Sequence, residues 1–293
     1  MLRRIATVLS AALVAATISA QSIFDTQNLN PSSPKVPEKM TFAGQTIEFN
    51  RSDLHERMDR ELLAFSYSHQ ISLLMLRKGY RLFEQIVPIL ERNGLHEDLK
   101  YLMVIESNCD PKARSTAGAC GLWQFMPATA REYGLEVSDE VDERYNIEKE
   151  TEVACQYLKK SYARFKDWFT VAAAYNGGVN GTAKRLADQR QSSALDLWIP
   201  NETSRYMFRL LACKMMFEDP SKFGFMDDPA DRYPYYEPKE IVIVNEPIPS
   251  LVDFAEAHGV SYMQLKEANL WLRSDKLTNK ARKTYKIIIP QNL

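Results

Sequence analysis

The residue best placed to do chemistry is Glu106. It lies near the end of segment 96–107, HEDLKYLMVIES. Leu99, Leu102, Met103 and Glu106 fall at i, i+3, i+4 and i+7, so on a helix the carboxylate shares the face of three apolar residues. Tyr101, Val104 and Ile105 make the other side apolar too, which predicts a buried helix. Burial disfavours the charged form of a carboxyl and raises its pKa. A carboxyl protonated near neutral pH is what a general acid requires. From spacing alone, a solvent-facing or ion-paired glutamate at a helix end is the plain alternative.

Three further blocks combine polar groups with glycine and aromatic rings. A polar loop, 108–119, carries Ser115 and leads into Gly121-Leu122-Trp123-Gln124-Phe125-Met126-Pro127. Glycine permits close backbone approach, tryptophan offers a flat apolar face, and glutamine both donates and accepts. Pyranose rings present C–H faces and hydroxyl edges, which suit this mixture. Ala174-Tyr175-Asn176-Gly177-Gly178 then ends one predicted helix, and Pro200-Asn201-Glu202-Thr203-Ser204-Arg205-Tyr206 opens another. Each block alone also has an ordinary account as a cap, a turn or a core tyrosine. Metal chemistry has little support: there is no His-Glu-x-x-His or Cys-x-x-Cys, and His55, His69, His96 and His258 are scattered. Asp227, Asp228 and Asp231 lack the glycine and ligand spacing of a calcium loop. No metal and no cofactor is expected.

The elements that must position these residues are mostly helical. From Ser52 the apolar density lacks strand alternation, and Tyr80, Phe83, Ile86, Val87 and Leu90 recur at three- and four-residue spacing until Asn93-Gly94. Further helices are predicted at 96–107, 127–133, 147–165, 168–176 and 203–217. The last stretch differs: 240–244 (EIVIV) and 284–289 (TYKIII) read as strands. Two short helices lie between them, one approximating a capping box at Ser250 and one matching it at Ser261.

The 293 residues are 45% hydrophobic and 26% charged, with formal net charge −1, which argues for a globular protein and against a nucleic-acid binder. Arg3 and Arg4, the apolar stretch 5–20 and a small-residue site before Gln21 read as a signal peptide. No cysteine follows that stretch, so a lipid anchor is not expected, and no later segment looks long and apolar enough to span a bilayer. The predicted organisation is a signal peptide over 1–20, a flexible lead-in over 21–50, a helical domain over 51–225, a linker over 226–239 and a βααβ domain over 240–293. Export permits disulfides. Cys109–Cys120, which would bracket one loop, is the favoured pair; Cys155–Cys213 is the next, with buried free thiols as its alternative.

The order of the blocks, E-S-x-x-D-P-x-A-x-S-x-A-G-A-x-G-L-W-Q-F-M-P-x-T-A, then A-A-Y-N-x-G, then P-x-E-T-x-x-Y, resembles the lytic transglycosylases of the goose-type lysozyme-like superfamily. Its nearest variety looks like the membrane-bound D type, which carries LysM domains. The likeness covers roughly residues 50–220. It implies a lysozyme-like helical catalytic domain and, more loosely, a small C-terminal LysM-like domain. There Gly259 and Asn269 match, but Asn245-Glu246-Pro247-Ile248-Pro249 replaces the usual Gly-Asp-Thr and Leu270 the usual proline. By the same resemblance Glu106 is the single acid/base for the MurNAc–GlcNAc bond of peptidoglycan, assisted by the substrate's acetamido group and yielding a 1,6-anhydroMurNAc end. Tyr206 orients it, Ser115, Gln124, Tyr175 and Asn176 line the cleft, and Trp123 joins Tyr175 and Tyr206 as a cleft aromatic. Glycan strands are the expected partner, and the periplasm or outer envelope the expected location. A hydrolytic muramidase and a non-enzymatic wall-binding protein are the readings weighed against it.

Overall fold

The computed structural model describes residues 33–235 and 237–291. The expected signal peptide lies outside them. Within the expected lead-in, residues 39–48 form a hairpin: β1 (Lys39–Phe42) pairs antiparallel with β2 (Gln45–Glu48). Ala43 and Gly44 both take positive φ, 47° and 81°, as a tight two-residue hairpin turn needs. Phe42, Ile47 and Phe49 are buried in the main core, which is why this stretch is ordered rather than a free leader.

The body is helical, as the periodicity predicts. α1 (Ser52–Tyr67) and α2 (His69–Arg92) are followed by α3 (Lys100–Ser107), α4 (Pro127–Glu132) and α5 (Ile147–Phe165). Then come α6 (Trp168–Gly177), α7 (Val179–Gln189) and α8 (Asn201–Glu218). α1 buries Leu54, Met58, Leu62 and Phe65 at steps of four, four and three, one face of a 3.6-residue helix. α8 buries residues on most sides, from Tyr206 through Phe217, and packs on α1, α3 and α6. It is the central helix of the body. α7 is absent from the sequence reading; Thr182 is its one fully buried residue, and its apolar stripe is made mostly of small side chains, with Leu186 packed against the core.

The C-terminal domain forms as expected. β3 (Glu240–Val244) pairs antiparallel with β4 (Tyr285–Ile289), with α9 (Leu251–Ala257) and α10 (Tyr262–Ala268) between them. Ser261 and Gln264 make both bonds of the capping box. Asn269 is fully buried; its amide donates to the Leu265 and Ile288 carbonyls at 2.9 and 2.7 Å and accepts from Ile288 N–H at 2.8 Å. This asparagine ties α10 to β4, a structural duty that needs no sugar.

One expectation is corrected. All four cysteines are buried free thiols, so neither predicted pairing forms. Cys109 belongs to the main core and Cys120 to a second one, so the two face different surroundings. Residues of the expected linker touch α2: Tyr233 N–H donates to the Arg77 carbonyl at 2.8 Å, and the Arg232 guanidinium lies 3.7 Å over the Tyr80 ring.

Candidate active site

Glu106 sits in the last turn of α3. That helix stops because Asn108 adopts the left-handed conformation, φ 52°, which asparagine tolerates better than most residues. Tyr101 through Ile105 are all buried, as the sequence implies, while Glu106 itself is half-buried. α8 crosses α3 and brings Tyr206 to it, across 100 positions of sequence. The Tyr206 hydroxyl donates to Glu106 Oε1 at 2.6 Å.

Electrostatics at this pair favour a protonated acid. Desolvation pushes the Glu106 carboxyl up to about 7; the Tyr206 hydrogen bond and then the Arg209 charge pull it down, and Glu202 adds a smaller upward push. Tyr206 is 6% exposed, and burial together with the Glu106 charge drives its hydroxyl well above the usual phenol range. It therefore remains a donor at any working pH. Tyr175 is raised likewise, first by burial and then by the charge of Glu106, so it lies in the field of that carboxyl.

Of the remaining candidates Tyr175 lies near Glu106, and all four spend polar groups on the scaffold. The Tyr175 hydroxyl donates to the Trp123 carbonyl at 2.7 Å, and Asn176 Oδ1 accepts from Thr203 Oγ1 at 2.8 Å. Ser115 Oγ accepts from Ala119 N–H at 3.0 Å, closing the tip of the loop. Gln124 has a positive φ of 51° and donates from Nε2 to the Gly121 and Ala113 carbonyls at 2.8 and 3.3 Å. Trp123 is corrected: it is fully buried, with its indole N–H donating to Thr151 Oγ1 at 3.0 Å, so it is a core ring and presents no face to a ligand.

Sequence reasoning missed the support beneath the Gly121–Gln124 turn. Gly121 (φ 81°) lies so close to the 144–150 segment that a Cβ would stand 1.8 Å from the Arg144 carbonyl oxygen and 2.4 Å from Glu150 Oε2. That same oxygen accepts from Trp123 N–H at 3.2 Å. Burial pushes the pKa of the fully enclosed Glu150 carboxyl well up. Nothing in the sequence marks Glu150, because its depth follows from tertiary packing. Arg209 was equally unmarked, although it lies one turn from Tyr206 on α8.

Comparison with known proteins finds matches for two segments of the chain. Residues 89–197 match the transglycosylase SLT domain, and residues 240–293 match the soluble lytic transglycosylase C-terminal LysM-like domain. The chain therefore carries an SLT transglycosylase domain followed by a LysM-like domain. It is homologous to membrane-bound lytic murein transglycosylase D of Escherichia coli K12, 26% identical over 230 residues that cover 76% of this chain and 49% of that protein. A putative tributyltin chloride resistance protein of Alteromonas sp. is 30% identical over 42% of this chain and 59% of its own length. Among solved structures, the Pseudomonas aeruginosa lytic transglycosylase Slt E503Q mutant shares 25% identity, covering 51% of this chain and 26% of that one, with TM-score 0.39. The Escherichia coli soluble lytic transglycosylase Slt70 shares 19%, covering 61% and 33%, with TM-score 0.41. The chain spans about half the length of the murein transglycosylase D it matches. Tyr206 falls beyond the matched SLT stretch, so its place beside Glu106 rests on the three-dimensional contact.

Proposed function

We propose that this chain is a peptidoglycan lytic transglycosylase that cleaves the MurNAc-β-1,4-GlcNAc bond and leaves a 1,6-anhydroMurNAc end. The observation that carries the reading is the 2.6 Å contact of the Tyr206 hydroxyl with a Glu106 carboxyl raised to about 7. Protonated Glu106 gives its proton to the glycosidic oxygen as the C1–O bond breaks. The substrate's acetamido oxygen stabilises the anomeric carbon. The resulting carboxylate then takes the proton of the muramic C6 hydroxyl, whose oxygen bonds to C1. One carboxyl thus serves as acid and then base, with no water consumed. Tyr206 holds the carboxyl by its donated hydrogen bond, and Ser115, Gln124, Tyr175 and Asn176 shape the sugar cleft.

The homologous murein transglycosylase and the two matched domain models support this substrate class. We place the protein in the periplasm or outer envelope, exported by the segment 1–20. Among the described residues no helix is long and apolar enough to cross a membrane. Mass spectrometry of digested sacculi tests the reaction. Anhydromuramic ends are expected; reducing muramic ends instead would make the protein a hydrolase. Glu106→Gln is expected to reduce turnover by about 100-fold or more, and unchanged turnover would remove Glu106 from the mechanism.

A further inference from the structure

The loop that carries Ser115 and Gln124 is not held by the helical body alone. Cys120, immediately before Gly121, is buried in the second hydrophobic core, together with Val141, Tyr145 and the interior of the C-terminal domain, Trp271 and Leu272 included. Cys120 and Phe125 close the turn between them by reciprocal backbone hydrogen bonds of 3.2 Å. The segment 140–144 then connects that turn to the C-terminal domain. On one side, Asp142 N–H donates to the Trp271 carbonyl at 2.9 Å and Arg273 N–H to the Glu140 carbonyl at 2.8 Å. The Glu140 carboxylate accepts from Thr278 N–H at 2.7 Å and from its hydroxyl at 2.5 Å. On the other side, Arg144 reaches back into the loop. Its Nε and Nη2 grip the Asp142 carboxylate at 2.9 and 2.7 Å, and its Nη1 donates to the carbonyls of Gly118 and Phe125 at 2.8 and 3.1 Å. Arg144 is 5% exposed, so these bonds are shielded from water.

We propose that the C-terminal domain acts as a brace for the cleft loop, with Arg144 as the positioning residue through which docking fixes residues 113–125. The domain thus contributes to turnover itself and not only to holding the polymer. The fork geometry of arginine is essential to this arrangement. A lysine has one charged nitrogen and cannot hold Asp142 in two places while bonding two carbonyls. The inference rests on the proposed glycan cleavage for its kinetic consequence, but the mechanical part stands without it.

Two variants of the full chain test the brace. Arg144→Lys removes the fork, and the double variant Glu140→Ala/Thr278→Val removes the carboxylate clamp at the domain interface. Hydrogen exchange should rise selectively in amides of residues 113–125 in both, while α3 and α8 keep their protection. A protein merely destabilised as a whole would lose protection everywhere. On substrate, kcat/KM should fall by the same factor, about tenfold or more, on insoluble sacculi and on a soluble murein tetrasaccharide that one cleft can accommodate. A loss confined to sacculi would make the domain a polymer-holding module and overturn the proposal. Unchanged exchange in residues 113–125 would also overturn it, whatever the activity. A wild-type chain that cleaves neither substrate would defeat the proposed reaction, while the exchange comparison would still decide the brace.

Discussion

A carboxyl raised to about 7 faces a tyrosine hydroxyl that keeps its proton throughout the working range, so the pair has one titration to offer. Glu106 must begin protonated, and activity is therefore expected to fall as pH rises through about 7. Tyr206→Phe removes a hydrogen bond that favours the carboxylate, so the Glu106 pKa rises further and the alkaline limb of the rate profile moves up. Turnover at pH 6 is expected to drop by about tenfold or more through lost orientation. A pH–rate series on both proteins checks the direction, and an alkaline limb moving down in the variant would refute this role for the hydroxyl. Of this pair, residue types and spacing marked Glu106, and the family resemblance marked Tyr206. The periodicity of 99–106 announced a carboxyl on an apolar face, and the burial followed. What the sequence left open was direction: Trp123 and Gln124 have side chains suited to sugars, yet one is core and the other bonds into its own loop.

At the scale of elements, the position of Tyr206 depends on how α8 seats against α1. The two helices are joined at Glu61, which is 1% exposed and accepts from Arg205 Nε at 2.6 Å and Nη2 at 3.2 Å. Arg205 neighbours Tyr206 in sequence. Arg205→Ala would leave a buried carboxylate without its main partner, and a destabilisation of about 3 kcal/mol is expected in urea unfolding. Adding Glu61→Gln should recover part of the loss, since the uncompensated charge is then gone. Strongly amphipathic helices such as α2 were readable from spacing, and the capping box at Ser261 from its residues. The hairpin at 39–48 was not. Its four-residue strands are too short for alternation to register, and its order comes from Phe42 and Ile47 reaching a core built by residues far along the chain.

At the scale of the whole molecule, the domain division into 51–225, 226–239 and 240–293 describes the chain's composition better than its mechanics. The connector is pinned along α2, and residues from both parts share one core. Thermal unfolding is therefore expected as a single cooperative transition by calorimetry, with both parts melting together. Two well-separated transitions would show that the shared core contributes little. This coupling was beyond the sequence, because Cys120, Val141 and Tyr145 carry no mark distinguishing a residue that faces its own domain from one that faces another.

The four buried thiols have a consequence in time. Burial pushes Cys109 and Cys155 up to about 12, so the folded protein offers an alkylating reagent almost no thiolate at neutral pH from either site. Labelling at these sulfurs must wait for the structure around them to open, and its rate becomes a clock for unfolding events. Cys120 lies in the shared core and Cys109 in the main one. Whether these two clocks run together or apart is a record, written in covalent chemistry, of which part of the protein lets go first.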